Sequence, residues 1–399
     1  MDKIKSTSIL LKGIRVYTEN EIIENGYIKI KDNLIDEIGT TDRLGSMEDY
    51  EVLEIPSGYH VVPGFIDVHI HGVNGADTMD ATKEALDTMV MALPKEGTTS
   101  FLATTITQEA EEIEKAIKNA GEYIEMQSGQ GKAEILGIHL EGPFVNAKKA
   151  GAQPIQHIID PNLELFKQWQ ALAKGTIKLV TLAPERPGGL EMVRYLKENG
   201  VIPSIGHTDA TFEQVSEAID AGANHVTHLY NQMRGLHHRE PGVVGAAFLR
   251  DELKAEMIVD GVHVHPEMVN LAYKQKKSKG LLLITDSMRA KCLKNGTYDL
   301  GGQEVIVQDG KAVLGDGTLA GSILKLGHAV KNVLQYTGCT ISEVIEMASV
   351  NPAKQLNVYN RKGSLAAGKD ADIVILDDQM NVYMTFCRGE VAFNKEEEA

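Results

Sequence analysis

The sequence predicts an α/β protein: a (β/α)8 TIM-like barrel with a small, discontinuous β-sandwich domain. Two observations favour this fold class. From residue 61 onward, short apolar segments alternate with amphipathic helical segments, and eight strand-like segments over ~250 residues are what such a barrel requires. Both ends of the chain instead contain short strand-like segments separated by turns.

The predicted domain boundaries follow this change in pattern. Residues 1–60 and 363–399 are assigned to the β-sandwich domain, and residues 61–362 to the barrel. Alternating apolar and charged residues in 27–31 are typical of a half-exposed antiparallel strand. The predicted strands of this domain are 9–17, 27–31, 34–38, 363–368, 372–376 and 382–393.

Eight barrel strands are predicted at 61–68, 97–105, 135–141, 177–183, 202–207, 226–230, 255–263 and 281–286. Helices are predicted at 83–95, 109–127, 190–199, 211–221, 322–337 and 342–356, the last with Ser342 as its N-cap. The alternating segment 295–316 predicts hairpins inserted near the top of the barrel. An open doubly wound sheet is disfavoured because no Gly-x-Gly-x-x-Gly follows the first strand.

Composition limits the classes of partner. The apolar content of 43% and the 38 glycines are ordinary for an α/β protein. A formal net charge of −16 disfavours a nucleic-acid or anionic-membrane surface, although one pocket can still bind a small anion. The three cysteines form neither a metal-type pair nor a disulfide framework, and no apolar run suits a signal peptide or a membrane span. We therefore expect a cytoplasmic protein.

Two histidines, His69 and His71, follow the first predicted barrel strand. Residues two apart in a strand point to the same side, so both imidazoles project together beyond the strand end. The pair alone leaves two interpretations: the start of a metal site, or two hydrogen-bonded core histidines.

Four other predicted strands also end in residues of the metal-ligand type. Glu141 ends the third strand, His207 the fifth and Asp286 the eighth, and His228 lies in the sixth. Taken singly, Glu141 could cap a helix and His207 could be a core histidine. Active sites of this barrel lie at the carboxyl ends of the strands, so five strands that offer such residues at one rim predict a metal site.

The motifs around these residues resemble the amidohydrolase superfamily, and within it the deacetylases of phosphorylated N-acetyl amino sugars. The similarity covers essentially the whole chain. His-x-His indicates only the superfamily, whereas His-Leu-Glu-Gly-Pro followed by His-Leu-Tyr-Asn and Arg-Glu-Pro-Gly is more specific. The matching segments are 63–72, 139–144, 206–208, 228–233, 239–242, 260–263, 285–286 and 319–322.

The resemblance implies a metal-dependent hydrolase barrel in which Glu141, His207 and His228 hold the principal divalent ion and leave a position for water. Relatives with Gln-x-Asn on the first strand use one metal ion, whereas those with His-x-His can bind two. His69 and His71 therefore imply a second ion bridged by Glu141. No lysine ends the fourth strand, which also favours that bridge. One or two ions of Zn, Fe or Mn per subunit are expected.

The resemblance also implies the reaction, hydrolysis of an acetamide to an amine and acetate. Asp286 is expected to take a proton from water and to deliver it to the amide nitrogen. Gln153 stands where many relatives have histidine, and it can donate a hydrogen bond to the acetyl oxygen without carrying charge. The remaining expected substrate contacts are Ala152, Asn231, Gln232, Arg239, His263, Leu319, Ala320 and Gly321.

Arg239 is expected to bind the substrate phosphate, because its planar fork matches phosphate oxygens and the chain has no P-loop. In the resembled family the matching arginine enters the neighbouring subunit's site, so a homodimer is expected. Two alternatives remain. One is another N-acyl or cyclic-amide amidohydrolase on the same barrel, of which the hydantoinase- and dihydroorotase-like enzymes are disfavoured by the missing lysine of the fourth strand. The other, a non-enzymatic assembly protein, is disfavoured because the ligand residues are present.

Overall fold

Eight parallel strands form a nearly closed barrel in the structure, a computed structural model that describes residues 8–397. Neighbouring strands pair in chain order, and a bridge between Ile70 and Ser287 joins the first strand to the segment after the eighth. The predicted fold class is thereby confirmed. The barrel strands are Phe65–Ile70, Thr98–Thr105, Glu134–Glu141, Ile177–Leu182, Ile202–Ile205, His225–Val226, Lys254–Ile258 and Leu281–Ile284.

A helix follows each barrel strand along the chain. In Ala110–Met126 the buried residues Ile113, Ala116, Ile117 and Ala120 lie on one face, as the helical period requires. The helices are Lys83–Ala92, Ala110–Met126, Leu163–Leu172, Gly189–Glu198, Phe212–Ala221, Gly242–Leu249, Pro266–Lys276 and Leu326–Thr337. The last is followed by Ile341–Ile345, the π-helix Glu346–Val350 and Asn351–Gln355.

The interior of the barrel is polar where strands four to six meet. Every residue of Phe65–Ile70 and Thr98–Thr105 is buried, as expected for parallel strands covered on both faces. Thr227, just after the sixth strand, has its Oγ1 2.7 Å from Thr181 Oγ1 and 2.5 Å from Ser204 Oγ, so it hydrogen-bonds with buried hydroxyls of the fourth and fifth strands. Thr181 also hydrogen-bonds to His139 in the third strand, so this polar cluster extends toward the histidines at the strand ends.

A second sheet of eight strands is built from both ends of the chain. Its core includes aliphatic side chains of the first strand, such as Leu11 and Val16, together with Phe386 from the C-terminal end. The domain boundaries stay a prediction, and residues 1–7 and 398–399, which it included, lie outside the described residues. The strands are Ser8–Tyr17, Ile22–Lys31, Leu34–Thr40, Glu51–Glu54, His60–Pro63, Ile373–Leu376, Val382–Cys387 and Glu390–Asn394.

The prediction of one strand over 61–68 is wrong, because the chain passes from one sheet to the other within it. His60–Pro63 pairs with Ile373–Leu376 in the second sheet, and Phe65–Ile70 begins the barrel. Gly64 makes the crossing, where an added Cβ would lie 2.1 Å from Thr99 Oγ1. An apolar run does not show where the backbone changes sheets.

Other boundaries also differ from the prediction. The sixth barrel strand ends at Val226, because His228 and Tyr230 adopt positive φ and turn the chain. Residues 363–368 form no strand, and only Leu365 makes a bridge. Thr340, not Ser342, caps the helix that follows it. The elements not predicted include Glu51–Glu54, Leu163–Leu172, Gly242–Leu249 and Pro266–Lys276.

The predicted hairpins between the eighth strand and the eighth helix form a small antiparallel sheet of Gly296–Leu300, Gln303–Gln308 and Lys311–Val313. Gln303 Nε2 donates to the carbonyl of Ala152 at 2.6 Å, so this sheet is tied to the loop after the third strand. Among residues 8–397 there is no helix with the length and apolar character needed to cross a membrane.

Candidate metal centre and active site

A cavity of about 300 Å³ opens at the carboxyl ends of the barrel strands. It gathers residues from strands far apart in the chain, including Glu141, His207 and Asp286. The full lining is His71, Ile106, Glu141, Ala152, Gln153, His207, His228, Asn231, Gln232, His263, Asp286, Leu300, Thr318, Leu319 and Gly321. Every predicted site residue therefore lines it except His69, Arg239 and Ala320.

Glu141, His207 and His228 form the first group that could hold a metal ion. Glu141 Oε1 lies 3.2 Å from Nε2 of each histidine, and the two Nε2 atoms lie 3.1 Å apart. His207 Nδ1 donates to the carbonyl of Lys149 at 2.8 Å, so its Nε2 presents a lone pair. Donor atoms of a tetrahedral zinc site are separated by about 3.3 Å, so these spacings fit a cation.

His69, His71 and Asp286 form the second group. Asp286 Oδ1 lies 3.4 Å from His69 Nε2 and 3.2 Å from His71 Nε2. Glu141 reaches both groups, with Oε1 3.4 Å from His69 Nε2 and Oε2 3.3 Å from His71 Nε2. The buried Nε2 of His69 has no hydrogen-bond partner among residues 8–397. A buried nitrogen that has no partner and faces two carboxylates is typical of a metal ligand.

The electrostatics of the two groups keep the carboxylates ionised. Burial would raise the pKa of Glu141, but His69, His207 and His228 hold it well below its usual range. Burial would likewise raise the pKa of Asp286, but His69 and His71 lower it. Burial lowers the pKa of His71, yet its hydrogen bonds with Asp286 and Glu141 raise it to about 9. A divalent cation suits this site, because it can replace the protons.

Three of these side chains sit on unusual backbone. His207, His228 and Asp286 have φ of 47°, 29° and 48°, in the left-handed region that residues with a side chain rarely adopt. Each closely follows the end of a barrel strand. The turn bends the chain at the barrel rim and holds the three side chains against Glu141 or the His69–His71 pair.

Gln153 is held against the first group rather than free in the cavity. Its Nε2 donates to Glu141 Oε2 at 2.8 Å, and its Oε1 accepts from the backbone amide of Thr107 at 2.9 Å. The amide is thus oriented by the loop after the second strand. Its expected contact with an acetyl oxygen stays a prediction.

The other predicted contacts divide into two sets. Asn231, Gln232, His263 and the residues Ala152, Leu319 and Gly321 line the cavity. Burial lowers the pKa of His263, but its hydrogen bond from Nδ1 to Asp260 Oδ2, 2.7 Å, raises it above the usual value.

Ala320 and Arg239 do not line the cavity. Ala320 is buried behind it and donates its backbone N–H to Ala312. Arg239 is exposed, and its Nη1 lies 2.8 Å from Nε2 of the neighbouring His238. Its expected role in a neighbouring subunit therefore requires a contact outside this chain.

Sequence analysis missed several residues near the site. Ile106, Leu300 and Thr318 line the cavity, but nothing in their local sequence distinguishes them, since loop placement brings them there. Glu256 lies buried next to His69 and His228. Its signal was present: a carboxylate in the middle of the otherwise apolar run Ala255–Ile258.

A third group of potential ligands, His69, His139 and Glu256, is occupied by hydrogen bonds. His139 Nδ1 donates to the carbonyl of Val68 at 3.1 Å, and its Nε2 lies 2.7 Å from Thr181 Oγ1. With both ring nitrogens engaged, His139 has no atom left for a metal ion.

Comparisons with known proteins agree with this geometry. The sequence profile described as the amidohydrolase family matches residues 60–392. The N-acetylglucosamine-6-phosphate deacetylase of Bacillus subtilis is 50% identical over 391 residues, 98% of each chain. That of Lysinibacillus sphaericus is 47% identical over 384 residues, 96% of this chain and 97% of the relative. Among solved structures, the chain is similar to a mutant N-acetyl-D-glucosamine-6-phosphate deacetylase from Mycobacterium smegmatis in complex with N-acetyl-D-glucosamine-6-phosphate. The TM-score is 0.91 at 31% sequence identity, and the match covers 97% of this chain and 100% of the other.

Proposed function

The chain belongs to the amidohydrolase family, and we propose that it hydrolyses the acetamide of N-acetyl-D-glucosamine 6-phosphate to D-glucosamine 6-phosphate and acetate. One observation carries the proposal: two carboxylates and four imidazoles from the ends of five strands meet at the barrel rim, and all of them except His69 line the cavity. The two bacterial relatives named for this deacetylase, which match almost the whole chain, support the substrate.

One or two divalent ions, Zn, Fe or Mn, would be held by the two ligand groups. Glu141, His207 and His228 would hold the principal ion, and His69 and His71 the second, with Glu141 between them. When bound, the metal polarises the acetamide carbonyl and lowers the pKa of a water molecule.

Asp286 moves the proton in this mechanism. Its carboxylate faces the cavity and lies 3.2 Å from His71 Nε2, close to both ligand groups. It accepts one proton from the attacking water as the new carbon–oxygen bond forms. It then donates that proton to the amide nitrogen, so that the carbon–nitrogen bond breaks and a neutral amine leaves.

The sugar and the acetyl group occupy the rest of the cavity. Ala152, Leu319 and Gly321 supply its smaller walls, with Ala320 buried behind them. Asn231, Gln232 and His263 supply polar contacts to the sugar and its phosphate, and Gln153 donates to the acetyl oxygen. Hydrogen bonding to Asp260 keeps His263 Nδ1 as a donor and leaves Nε2 for the ligand.

Arg239 completes the phosphate site from a neighbouring subunit of a homodimer. Its exposure and its absence from its own chain's cavity support this arrangement. The cysteines Cys292, Cys339 and Cys387 are free, which supports a reducing, cytoplasmic setting for the reaction.

The test measures acetate release from N-acetyl sugars, and ring opening of the cyclic amides hydantoin and dihydroorotate, by metal-reconstituted protein. We expect turnover of N-acetylglucosamine 6-phosphate, much weaker turnover of unphosphorylated N-acetylglucosamine, and none of hydantoin or dihydroorotate. The metal-free protein and the Asp286→Asn variant are the controls. Turnover of a cyclic amide in preference to the N-acetyl sugar phosphate would overturn the proposed substrate. No turnover of any substrate, with metal bound, would favour a non-enzymatic role.

A further inference from the structure

Glu256 is a fully buried carboxylate in the seventh barrel strand, next to both ligand groups. Its Oε2 lies 2.9 Å from Nδ1 of His69 and accepts from the backbone N–H of His228 at 3.0 Å. Its Oε1 lies 3.1 Å from Nε2 of His225. One side chain therefore contacts a residue of each ligand group, although it reaches neither the cavity nor the reacting atoms.

The contact with His69 fixes the tautomer of that ring. An ionised carboxylate only accepts hydrogen bonds, so Nδ1 of His69 carries the proton. In the neutral ring, Nε2 is then left with its lone pair, 3.4 Å from Glu141 Oε1 and 3.4 Å from Asp286 Oδ1. His71 lacks an equivalent support, because its buried Nδ1 has no hydrogen-bond partner among the described residues.

We propose that Glu256 is a positioning residue for the second metal ion. Through one oxygen, Oε2, the carboxylate orients His69 as a ligand and anchors the backbone at His228. The inference rests on the proposed metal-dependent function and deepens it. A carboxylate behind a metal-binding histidine fixes the ring and makes it a stronger ligand, and its loss costs roughly 10- to 100-fold in metal affinity. Glu256 thus makes His69 the better-organised ligand of the His69–His71 pair.

Two variants separate the hydrogen bond from the charge. Glu256→Gln keeps an acceptor oxygen for His69. Its new amide N–H can donate to Nε2 of His225 if the proton of that ring moves to Nδ1. Among the described residues, Nδ1 of His225 has no hydrogen-bond partner. Glu256→Met has similar length but removes both acceptors. The matched control is Thr181→Val, which breaks buried side-chain hydrogen bonds with His139 and Thr227 in the same barrel interior, neither of which is a proposed ligand.

The experiment titrates metal-free protein with Zn²⁺ against a chromophoric chelator and measures zinc content and melting temperature with and without Zn²⁺. We expect two sites in the wild type. In Glu256→Met we expect the second site, which contains His69 and His71, to lose about 10- to 100-fold in affinity for Zn²⁺. The affinity of Glu256→Gln at this site is expected to lie between those of the wild type and Glu256→Met. Thr181→Val should keep both wild-type affinities, even if its melting temperature without metal falls.

Several results would overturn the inference. Wild-type affinity at both sites in Glu256→Met would do so, and, if that variant fails to fold, wild-type affinity in Glu256→Gln would. An equal loss of affinity in Thr181→Val would reduce Glu256 to a structural role. A wild type with a single zinc site that still releases acetate would refute the inference alone. A wild type that binds no zinc, manganese or iron and releases no acetate would refute the proposed function as well.

Discussion

At the scale of single residues, the site combines ordinary ligand chemistry with costly backbone. Left-handed φ at a residue with a side chain costs of order 1–3 kcal/mol, and His207, His228 and Asp286 all adopt it. The surrounding barrel must therefore over-determine these turns. Their clustering at the carboxyl ends of three strands locates the functional rim independently of any motif.

Asp286 is expected to be the proton carrier. Asp286→Asn keeps the size of the side chain and an acceptor oxygen but cannot take up a proton, so kcat should fall by ~10²–10⁴-fold or more. The principal ion, held by Glu141, His207 and His228, should be retained, and the melting temperature should stay close to that of the wild type. Metal content and melting temperature are measured alongside acetate release, and near-normal turnover in a metal-replete variant would remove Asp286 from the mechanism.

His69 and His71 are expected to determine metal stoichiometry. A double His69→Gln, His71→Asn variant removes both imidazoles of the second ligand group but leaves Glu141, His207 and His228. Elemental analysis should show a drop from about two ions per chain to about one, with some activity retained. A wild type that holds one ion after purification with excess metal would argue against the second position.

The residues of the site were more predictable than their surroundings. Ligand type and position at strand ends predicted Glu141, His207 and His228. In the structure Glu141 Oε1 and the two Nε2 atoms lie within 3.2 Å of one another. Sequence could not place Leu300 or Thr318, because their proximity depends on how the inserted hairpins fold over the barrel. The φ values are likewise invisible in a motif.

At the scale of elements, one ion network joins the third barrel strand to the segment before the last strands of the second sheet. Glu134, the first residue of Glu134–Glu141, lies 2.7 Å from Arg361 Nη2 and 2.8 Å from Lys362 Nζ. Arg361 and Lys362 also pair with Asp370, and Lys362 with Asp372. Strong periodicity predicted most elements, but not such links, nor the change of sheet at Gly64.

This network is expected to make stability depend on acid pH. Burial raises the pKa of Glu134, but Arg361 and Lys362 lower it from 4.5 to about 2. A group with a depressed pKa stabilises the fold above its unfolded pKa and loses that contribution as pH falls toward the folded value. The contribution is roughly 3 kcal/mol, lost between about pH 4.5 and pH 2.

The measurement compares the melting temperatures of the wild type and Glu134→Gln from pH 7 downward. The wild type should be more stable by several °C at neutral pH, and the difference should shrink below about pH 4.5. Glu164→Gln, which removes an exposed pair with Lys167, is the control and should change little at any pH. A difference between wild type and Glu134→Gln that stays constant down to about pH 3 would contradict this assignment.

At the scale of the whole molecule, the proposed phosphate site needs two chains. Arg239 lies on the exposed loop after the sixth strand, beyond His228 and outside its own cavity. A charge-assisted hydrogen bond to phosphate contributes about 1.5–3 kcal/mol, or roughly ten- to a hundredfold in affinity. Arg239→Ala should weaken the phosphorylated substrate by that factor and leave the unphosphorylated sugar nearly unaffected.

Mixing two inactive or weakened chains tests the shared site directly. A dimer of one Arg239→Ala chain and one Asp286→Asn chain contains one intact pocket, so activity at low substrate should reappear on mixing. Each variant alone, treated in the same way, is the control. No recovery despite proven subunit exchange would place Arg239 in its own chain's pocket.

The sheet that draws on both ends of the chain bears on how the protein is synthesised. His60–Pro63 leaves the ribosome early, but its partner Ile373–Leu376 is among the last segments made. At ordinary elongation rates the wait is roughly 15–60 s, during which one edge of the N-terminal strands stays unpaired and open to pairing with other chains. A nascent chain that stops before residue 373 is therefore expected to aggregate, even though the residues of its metal centre have all been translated.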